Sequence, residues 1–196
     1  VKRIGEWWLP SADQHFAGDI ENYQRASYDA ALQHVRVRGT ALDIGAHIGI
    51  FSRRMAQDFA LVHAFEPDAR NYACLVRNVP RWTVRTTYGA AGQQRGMGRV
   101  RVDAAENTGA RGFVAAVDGG VPMYAIDEFD YDNLGLIKID TEGFEHRVLV
   151  GALSTIKKHK PVLIVEHVAD ETVNFLNLFG YSPVAFVGKD SIFVEE

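Results

Sequence analysis

The sequence predicts an α/β domain built on a largely parallel sheet. Two observations carry this. Short apolar runs alternate with segments of helical period, the order that a parallel sheet with right-handed crossovers requires. The first of these runs also enters a glycine turn, "LDIGAHIG", that opens directly onto a helix. With 196 residues, 47% of them hydrophobic and 23% charged, the chain holds one such domain with a full core.

The elements follow in order. Residues 1–18 are aromatic and turn-prone, without a clear period. Ile20, Tyr23, Tyr28, Ala31, Leu32 and Val35 recur at helical spacing and predict a helix over about Asp19–Arg36, stopped by Gly39. Thr40–Ile44 is a short buried strand, Gly45–Gly49 the turn and Ile48–Asp58 a helix. Ala60–Pro67 is the second strand, Asp68–Asn78 a helix with an acid at its start, and Trp82–Ala91 the third strand. Residues 92–120 break the rhythm: "GRVRVD" and "GFVAAV" alternate as in a short antiparallel hairpin. Leu134–Asp140 is the fourth strand, Phe144–Lys157 a helix, Pro161–His167 the fifth strand and Asp170–Phe179 a helix. "YSPVAFV" and "SIFVEE", joined by "GKD", close the chain as a hairpin. The reading is thus an N-terminal segment and helix over 1–38 and the main unit over 39–196, together one structural domain.

Composition narrows the function. A net charge of −4 gives no overall pull toward nucleic acid or acidic membranes. The single cysteine, Cys74, rules out an internal disulfide framework and a Cys-rich zinc site, and fits a cytoplasmic location. No apolar run is long enough to span a bilayer, and the N-terminus lacks an apolar signal core.

In an open parallel sheet, ligands bind beyond the C-terminal strand ends. Gly45 lets the backbone turn sharply there, and Gly49 lets the helix start pack against the strand. Ala46-His47 replaces the middle glycine of the dinucleotide fingerprint, which disfavours NAD. Asp43 precedes the turn, where an acid would repel a phosphate and suits a cationic amino or sulfonium ligand. Glu66 ends the second strand at the spacing from which an acid reaches ribose hydroxyls. This charge logic favours S-adenosylmethionine (SAM).

"DIGAHIGIFS", "FEP", "IKIDTEGFEHRVL" and "PVLIVEH" together resemble the FkbM-type family of SAM-dependent methyltransferases, over about Gly39–His167. The resemblance implies a Rossmann-like class I fold: a seven-stranded, mostly parallel sheet in the order 3-2-1-4-5-7-6 with the last strand antiparallel, helices on both faces, and here a hairpin insertion around 92–120. It implies O-methyl transfer to a sugar, glycan or natural product, with S-adenosylhomocysteine (SAH) as product. By position, Asp43, Gly45, Ala46 and Gly49 would form the SAM loop, with His47 contributing backbone and lining the pocket. Glu66 would bind ribose. Adenine would lie near Pro67, Asp68 and the turn at Ala90. Many class I enzymes carry an acid at that turn. Here "TYGAAG" leaves backbone amides or Asp103 to read the base.

Asp140 then faces the methyl-donor end of SAM and Glu142 lies nearer the acceptor, while Glu145 is read as a helix-start acid. Lys138 shares a strand face with Asp140 and needs a partner, with Asp43 and Glu166 the candidates. An alcohol acceptor profits from a base, and Glu142, Asp140 and His167 are the candidates. Glu166, His167, Glu142 and His15, the last on a lid segment, are expected to meet the substrate. Asp140, Glu142 and Glu166 could together bind a divalent metal, but SAM accounts for part of the set and no metal is assigned. The expected partner is a small-molecule or glycan acceptor, with no membrane and with nucleic acid disfavoured. The apolar N-terminal segment would equally suit a homodimer contact. Two alternatives stand beside this reading: a nucleic-acid or protein methyltransferase using the arginine-rich 81–111 region, and a non-catalytic SAM-binding module. "DTEG" replaces the N/D-P-P-Y/F motif that base N-methylation usually needs.

Overall fold

The computed structural model describes residues 1–14, 20–101, 108–109 and 111–196. The featureless N-terminus forms a hairpin of β1 (Lys2–Ile4) and β2 (Trp7–Leu9), turned at Gly5. The first helix, α1 (Arg25–Leu32), is shorter than its periodicity suggests. Then come β3 (Thr40–Ile44), α2 (Ile50–Met55), β4 (Leu61–Glu66), α3 (Ala69–Asn78) and β5 (Val84–Tyr88), matching the predicted order. After the insertion follow β10 (Leu134–Ile139), α4 (Glu145–Val150), α5 (Leu153–His159), β11 (Val162–Glu166), α6 (Asp170–Asn177), β12 (Tyr181–Val187) and β13 (Asp190–Glu195).

Seven strands form one sheet in the order β12-β13-β11-β10-β3-β4-β5. All neighbours from β11 to β5 pair in parallel, and β13 runs antiparallel to both β11 and β12. Alternation along the strands splits the core in two. Leu42, Ile44, Ile137, Ile139, Leu163 and Val165 face Val148, Leu149, Ile156 and Leu176 of α4–α6. Ala41, Ala64, Leu136 and Ile164 face Tyr28, Phe51, Met55 and Leu75 of α1–α3. The chain therefore changes face between the neighbouring strands β3 and β10. That is the switch point at which a crevice opens beyond the strand ends.

Three departures from the sequence reading have physical causes. The third strand splits at Gly89 (φ 150°), where a side chain would meet Tyr124 and Pro122. Its remainder, β6 (Ala90–Ala91), leaves the main sheet and pairs with β9 (Val121–Tyr124). With β7 (Gly96–Val100) and β8 (Phe113–Ala115) this makes a four-stranded sheet, β6-β9-β7-β8, where a hairpin is predicted. The helix predicted over Phe144–Lys157 breaks at Gly151–Ala152. A Cβ on Gly151 would lie 2.0 Å from the Gly92 carbonyl, so the insertion packs into the break. Asp127 caps α5 by accepting from the amides of Ser154 (2.9 Å) and Thr155 (2.8 Å).

The N-terminal hairpin is fastened to the domain. Trp7 and Leu9 are buried with Ile20, Ile48, Ile50 and Cys74. Asn78 accepts from the Trp8 amide and donates to the carbonyls of Trp8 and Ile48, each at 2.8 Å. Trp7 and Leu9 of this apolar segment are thus buried within the chain. His15 and Asp103 lie outside the described residues. Among the described residues no helix is long and apolar enough to cross a membrane.

Candidate active site

The cavity beyond the C-terminal ends of β3, β4 and β10 has a volume of about 200 Å³. The glycine turn forms its floor. Gly45 adopts φ 83°, and a Cβ there would stand 1.7 Å from the Asp140 carbonyl oxygen. Only glycine lets the turn and the β10 end touch, which sets Asp140 beside the loop. The amides of Gly45 and Ala46 both donate to the Phe65 carbonyl, at 3.0 and 2.9 Å. Gly49 serves a different contact from the one expected. Its Cβ would meet Leu75 of α3 and Val79 just beyond it, each at 2.8 Å, so it allows packing of α2 on α3 and does not line the cavity.

Glu66 is buried at the cavity wall. Its two oxygens accept from the amides of His47 and Asp68, each at 2.8 Å. Burial pushes its carboxyl up to about 8, against the pull of those amides. Asn71 also bonds this carboxyl, and the acceptor capacity that is left faces the cavity, where a ribose hydroxyl can be bound. Pro67, Ala46, His47 and Ala90 line the cavity as expected. Asp68 does not. Its side chain caps α3 through the amides of Arg70 (2.8 Å) and Asn71 (3.1 Å) and pairs with Arg111.

The acids at the other end form a connected set. Oxygens of Asp140, Glu142 and Glu166 lie within 4.8 Å of one another. Lys138, buried in β10, places its ammonium 3.0 Å from Asp140, 3.5 Å from Asp190 and 5.1 Å from the Phe51 ring centre. Its predicted partners, Asp43 and Glu166, are therefore replaced by Asp140 and Asp190. Asp43 is the register neighbour of Lys138, but its carboxylate accepts from Ser52 Oγ at 2.5 Å. Burial lifts Asp43 to about 6, with Ser52 and Lys138 opposing. Burial alone would lower the Lys138 pKa, but Asp140 and Asp190 outweigh it and hold it up. Glu166 is pushed up to about 9, by burial first and then by sharing a hydrogen bond with Asp140. Burial would raise Asp140 too, but Lys138 and Glu166 bring it down. The shared hydrogen bond thus favours the proton on Glu166 and the charge on Asp140, beside Lys138. The three oxygens are close enough for a divalent ion, yet Lys138 already supplies the positive charge beside Asp140.

Glu142 lines the cavity at φ 52°, half-buried, with burial and Asp140 raising its pKa. Glu145 does more than favour a helix start. Its Oε1 accepts from the amides of Thr141 (2.9 Å) and Gly143 (3.1 Å) and from Thr141 Oγ1 (3.0 Å), which shapes the turn bearing Glu142. His167 (φ 49°) stands outside the cavity wall, its side chain 47% exposed and Nδ1 3.6 Å from Glu166. Positive φ at the non-glycine residues His47, Glu142 and His167 concentrates backbone strain at this strand-end edge.

Several wall residues escaped the sequence reading. Tyr23 and Gln24 reach in from the N-terminal segment, and Gln24 Nε2 donates to Glu166 at 3.4 Å. Thr108 enters from the insertion. Its hydroxyl is 2.8 Å from His47 Nε2, and both its hydroxyl and its amide bond to the buried Asp13. No local pattern marks these residues, because each acts across a long loop. In the arginine-rich 81–111 region, several arginines have local acidic partners. Arg95 pairs with Glu128, Arg99 with Asp118 and Arg111 with Asp68, while Arg81 precedes β5 at the opposite end of the sheet.

Comparisons agree with this geometry. The profile of the methyltransferase FkbM domain matches residues 43–183. No curated protein matches the chain significantly. Among solved structures, a methyltransferase FkbM from Methylobacillus flagellatus KT superposes with TM-score 0.56 at 18% identity, covering 94% of this chain and 57% of that one. The chain thus spans little over half the length of that relative. A putative methyltransferase from Streptococcus mutans in complex with SAH superposes with TM-score 0.52 at 10% identity, covering 86% and 94%. A putative RNA methyltransferase from Pyrococcus horikoshii does so with 0.51 at 11%, covering 88% and 83%. At these identities the superpositions speak for the fold. The profile match runs from Asp43 at the glycine turn to Pro183 in the closing hairpin, and on that extent the chain belongs to the methyltransferase FkbM domain family.

Proposed function

We propose that the protein transfers a methyl group to a hydroxyl oxygen of a sugar, glycan or small natural product. The acid cluster at the ends of β10 and β11 is the observation that carries this. Carboxylates that line a half-buried crevice are suited to accept hydrogen bonds from hydroxyls. The turn after β10 reads "DTEG", without the proline and aromatic ring that would grip a flat base.

The cavity residues fit SAM. Glu66 offers its remaining acceptor capacity to a ribose hydroxyl, and Gly45 leaves room where a side chain would collide with the β10 end. Asp140, held charged by Lys138, suits the cofactor's amino group. When bound, SAM supplies an electrophilic methyl on a sulfonium. The chain's part is positioning and proton removal. Glu142 is the better placed base. It lines the cavity, whereas Asp140 is paired with Lys138, Glu166 is tied to Asp140 by a shared hydrogen bond and His167 stands outside the wall. It accepts the hydroxyl proton as the acceptor oxygen attacks. Sidechains of Tyr23, Gln24 and Glu166 would bound the acceptor.

The test is to incubate the protein with isotopically labelled SAM and a panel of sugars, glycans and hydroxylated natural products. The label should appear on oxygen, and Glu142→Gln should cut the rate by roughly a hundredfold or more. Label found on nitrogen, or on RNA in preference to every hydroxyl acceptor, would overturn the O-methyl reading.

A further inference from the structure

Three polar groups in the cavity wall have no hydrogen-bond partner among the described residues: Gln24 Oε1 beside Glu166, and, on the side of Asp68 and Thr108, the pair Asn71 Oδ1 and Arg111 Nε. Neither member of this pair is near bulk water. Asn71 is 2% exposed and the Arg111 side chain 5%. Buried polar atoms are nearly always bonded, so two orphans on one side of the cavity point to something that completes them. Neither can be relieved by turning a side chain over. Asn71 Nδ2 donates to the Thr108 carbonyl at 3.0 Å, so flipping the amide would set two oxygens against each other. Arg111 is anchored by its terminal nitrogen on the buried Asp68, which leaves Nε unused.

The two orphans are an acceptor and a donor. Pro67, Ala90 and Ala91 share the same wall and offer no side-chain hydrogen-bonding group of their own. An adenine ring presents the complement, an exocyclic amine that donates beside a ring nitrogen that accepts. We propose that Asn71 and Arg111 read the adenine edge of the cofactor. Asn71 Oδ1 accepts from the exocyclic amine and Arg111 Nε donates to the neighbouring ring nitrogen. This inference rests on SAM occupying the cavity, and it gives the base-reading role to α3 and the insertion in place of an acid after the third strand. It also gives the insertion a purpose, since Thr108 orients Asn71 while Arg111 supplies the second contact.

Calorimetry with SAH and its inosine analogue, in which the amine is replaced by a carbonyl oxygen, tests this without turnover. For the wild type, SAH should bind on the order of tenfold to a hundredfold more tightly, because the carbonyl would face Asn71 Oδ1 oxygen to oxygen. In Asn71→Ala the preference should fall to near unity. General loosening of the wall would weaken both ligands alike, so the ratio isolates the contact, and Asn71→Ser serves if the alanine variant is poorly folded. Arg111→Lys keeps a cation for Asp68 but removes Nε, and should weaken SAH by roughly tenfold with little change in melting temperature. An Asn71 variant that keeps the wild-type preference, or a wild type that has none, overturns the inference alone. A folded wild type that binds neither ligand overturns the cofactor reading together with it.

Discussion

Lys138→Met probes the charge network at the centre of the sheet. Lys138 is 1% exposed and Asp190 2%, with Asp140 and Asp43 alongside. Methionine keeps most of the side chain's length and its packing on Phe51, so the change isolates the charge. Removing one partner of a buried ion pair typically costs about 3–5 kcal/mol, because the remaining carboxylates are left without a counterion. For a chain of 196 residues each kcal/mol moves the melting temperature by about 2–4 °C, so a fall of roughly 6–20 °C is expected near neutral pH. Asp190→Asn in the same chain should return part of the loss, giving a double-mutant coupling of at least about 1 kcal/mol. The deficit should shrink in acid, where the freed carboxylates take up protons. Urea unfolding of the four proteins at acid and neutral pH measures all of this. A Lys138→Met protein as stable as wild type, or additive with Asp190→Asn, would refute the view that this network holds the β10 end.

Other outcomes follow from the same geometry. Gly45→Ala puts a Cβ 1.7 Å from the Asp140 carbonyl at φ 83°, so it should lose about 2–4 kcal/mol and SAH binding together; denaturation and calorimetry on one sample would show it, and an unchanged protein would remove the need for glycine there. Glu66→Gln should weaken SAH by roughly tenfold while retaining the fold, and equal affinities would move the ribose elsewhere. Glu166 has its carboxyl raised from 4.5 to about 9, so the folded state keeps a proton that the unfolded chain releases. Its contribution to stability is therefore present below pH 4.5 and declines as pH rises toward 9. Wild-type stability should fall relative to Glu166→Gln across that window, and parallel unfolding curves would contradict the assignment.

The acids that end strands were legible as site residues because a βαβ order places every strand's C-terminal end on one edge. Asp43, Glu66 and Asp140 needed no more than their positions in the pattern. Asp190 and Asn71 could not be found that way. Asp190 begins a strand in a closing hairpin and becomes the partner of Lys138 only because β13 returns antiparallel beside β11. Asn71 looks like one more polar residue on a helix until Thr108, 37 residues on, fixes its amide. Gly49 reads as packing the helix start against the strand because the turn is local, whereas the neighbours it actually meets, Leu75 and Val79, lie in and just after the next helix.

The sequence by itself determined the succession of strands and helices, the glycine turn, and the family to which the profile assigns the chain. Hydrophobic period and turn chemistry are properties of a few adjacent residues, so they survive without the fold. The tertiary structure alone decided which carboxylates neutralise Lys138, where the third strand and the fourth helix break, and which groups stand unpartnered in the cavity wall. Each of these depends on desolvation and on contacts between distant segments, and neither exists until the sheet has brought those segments together.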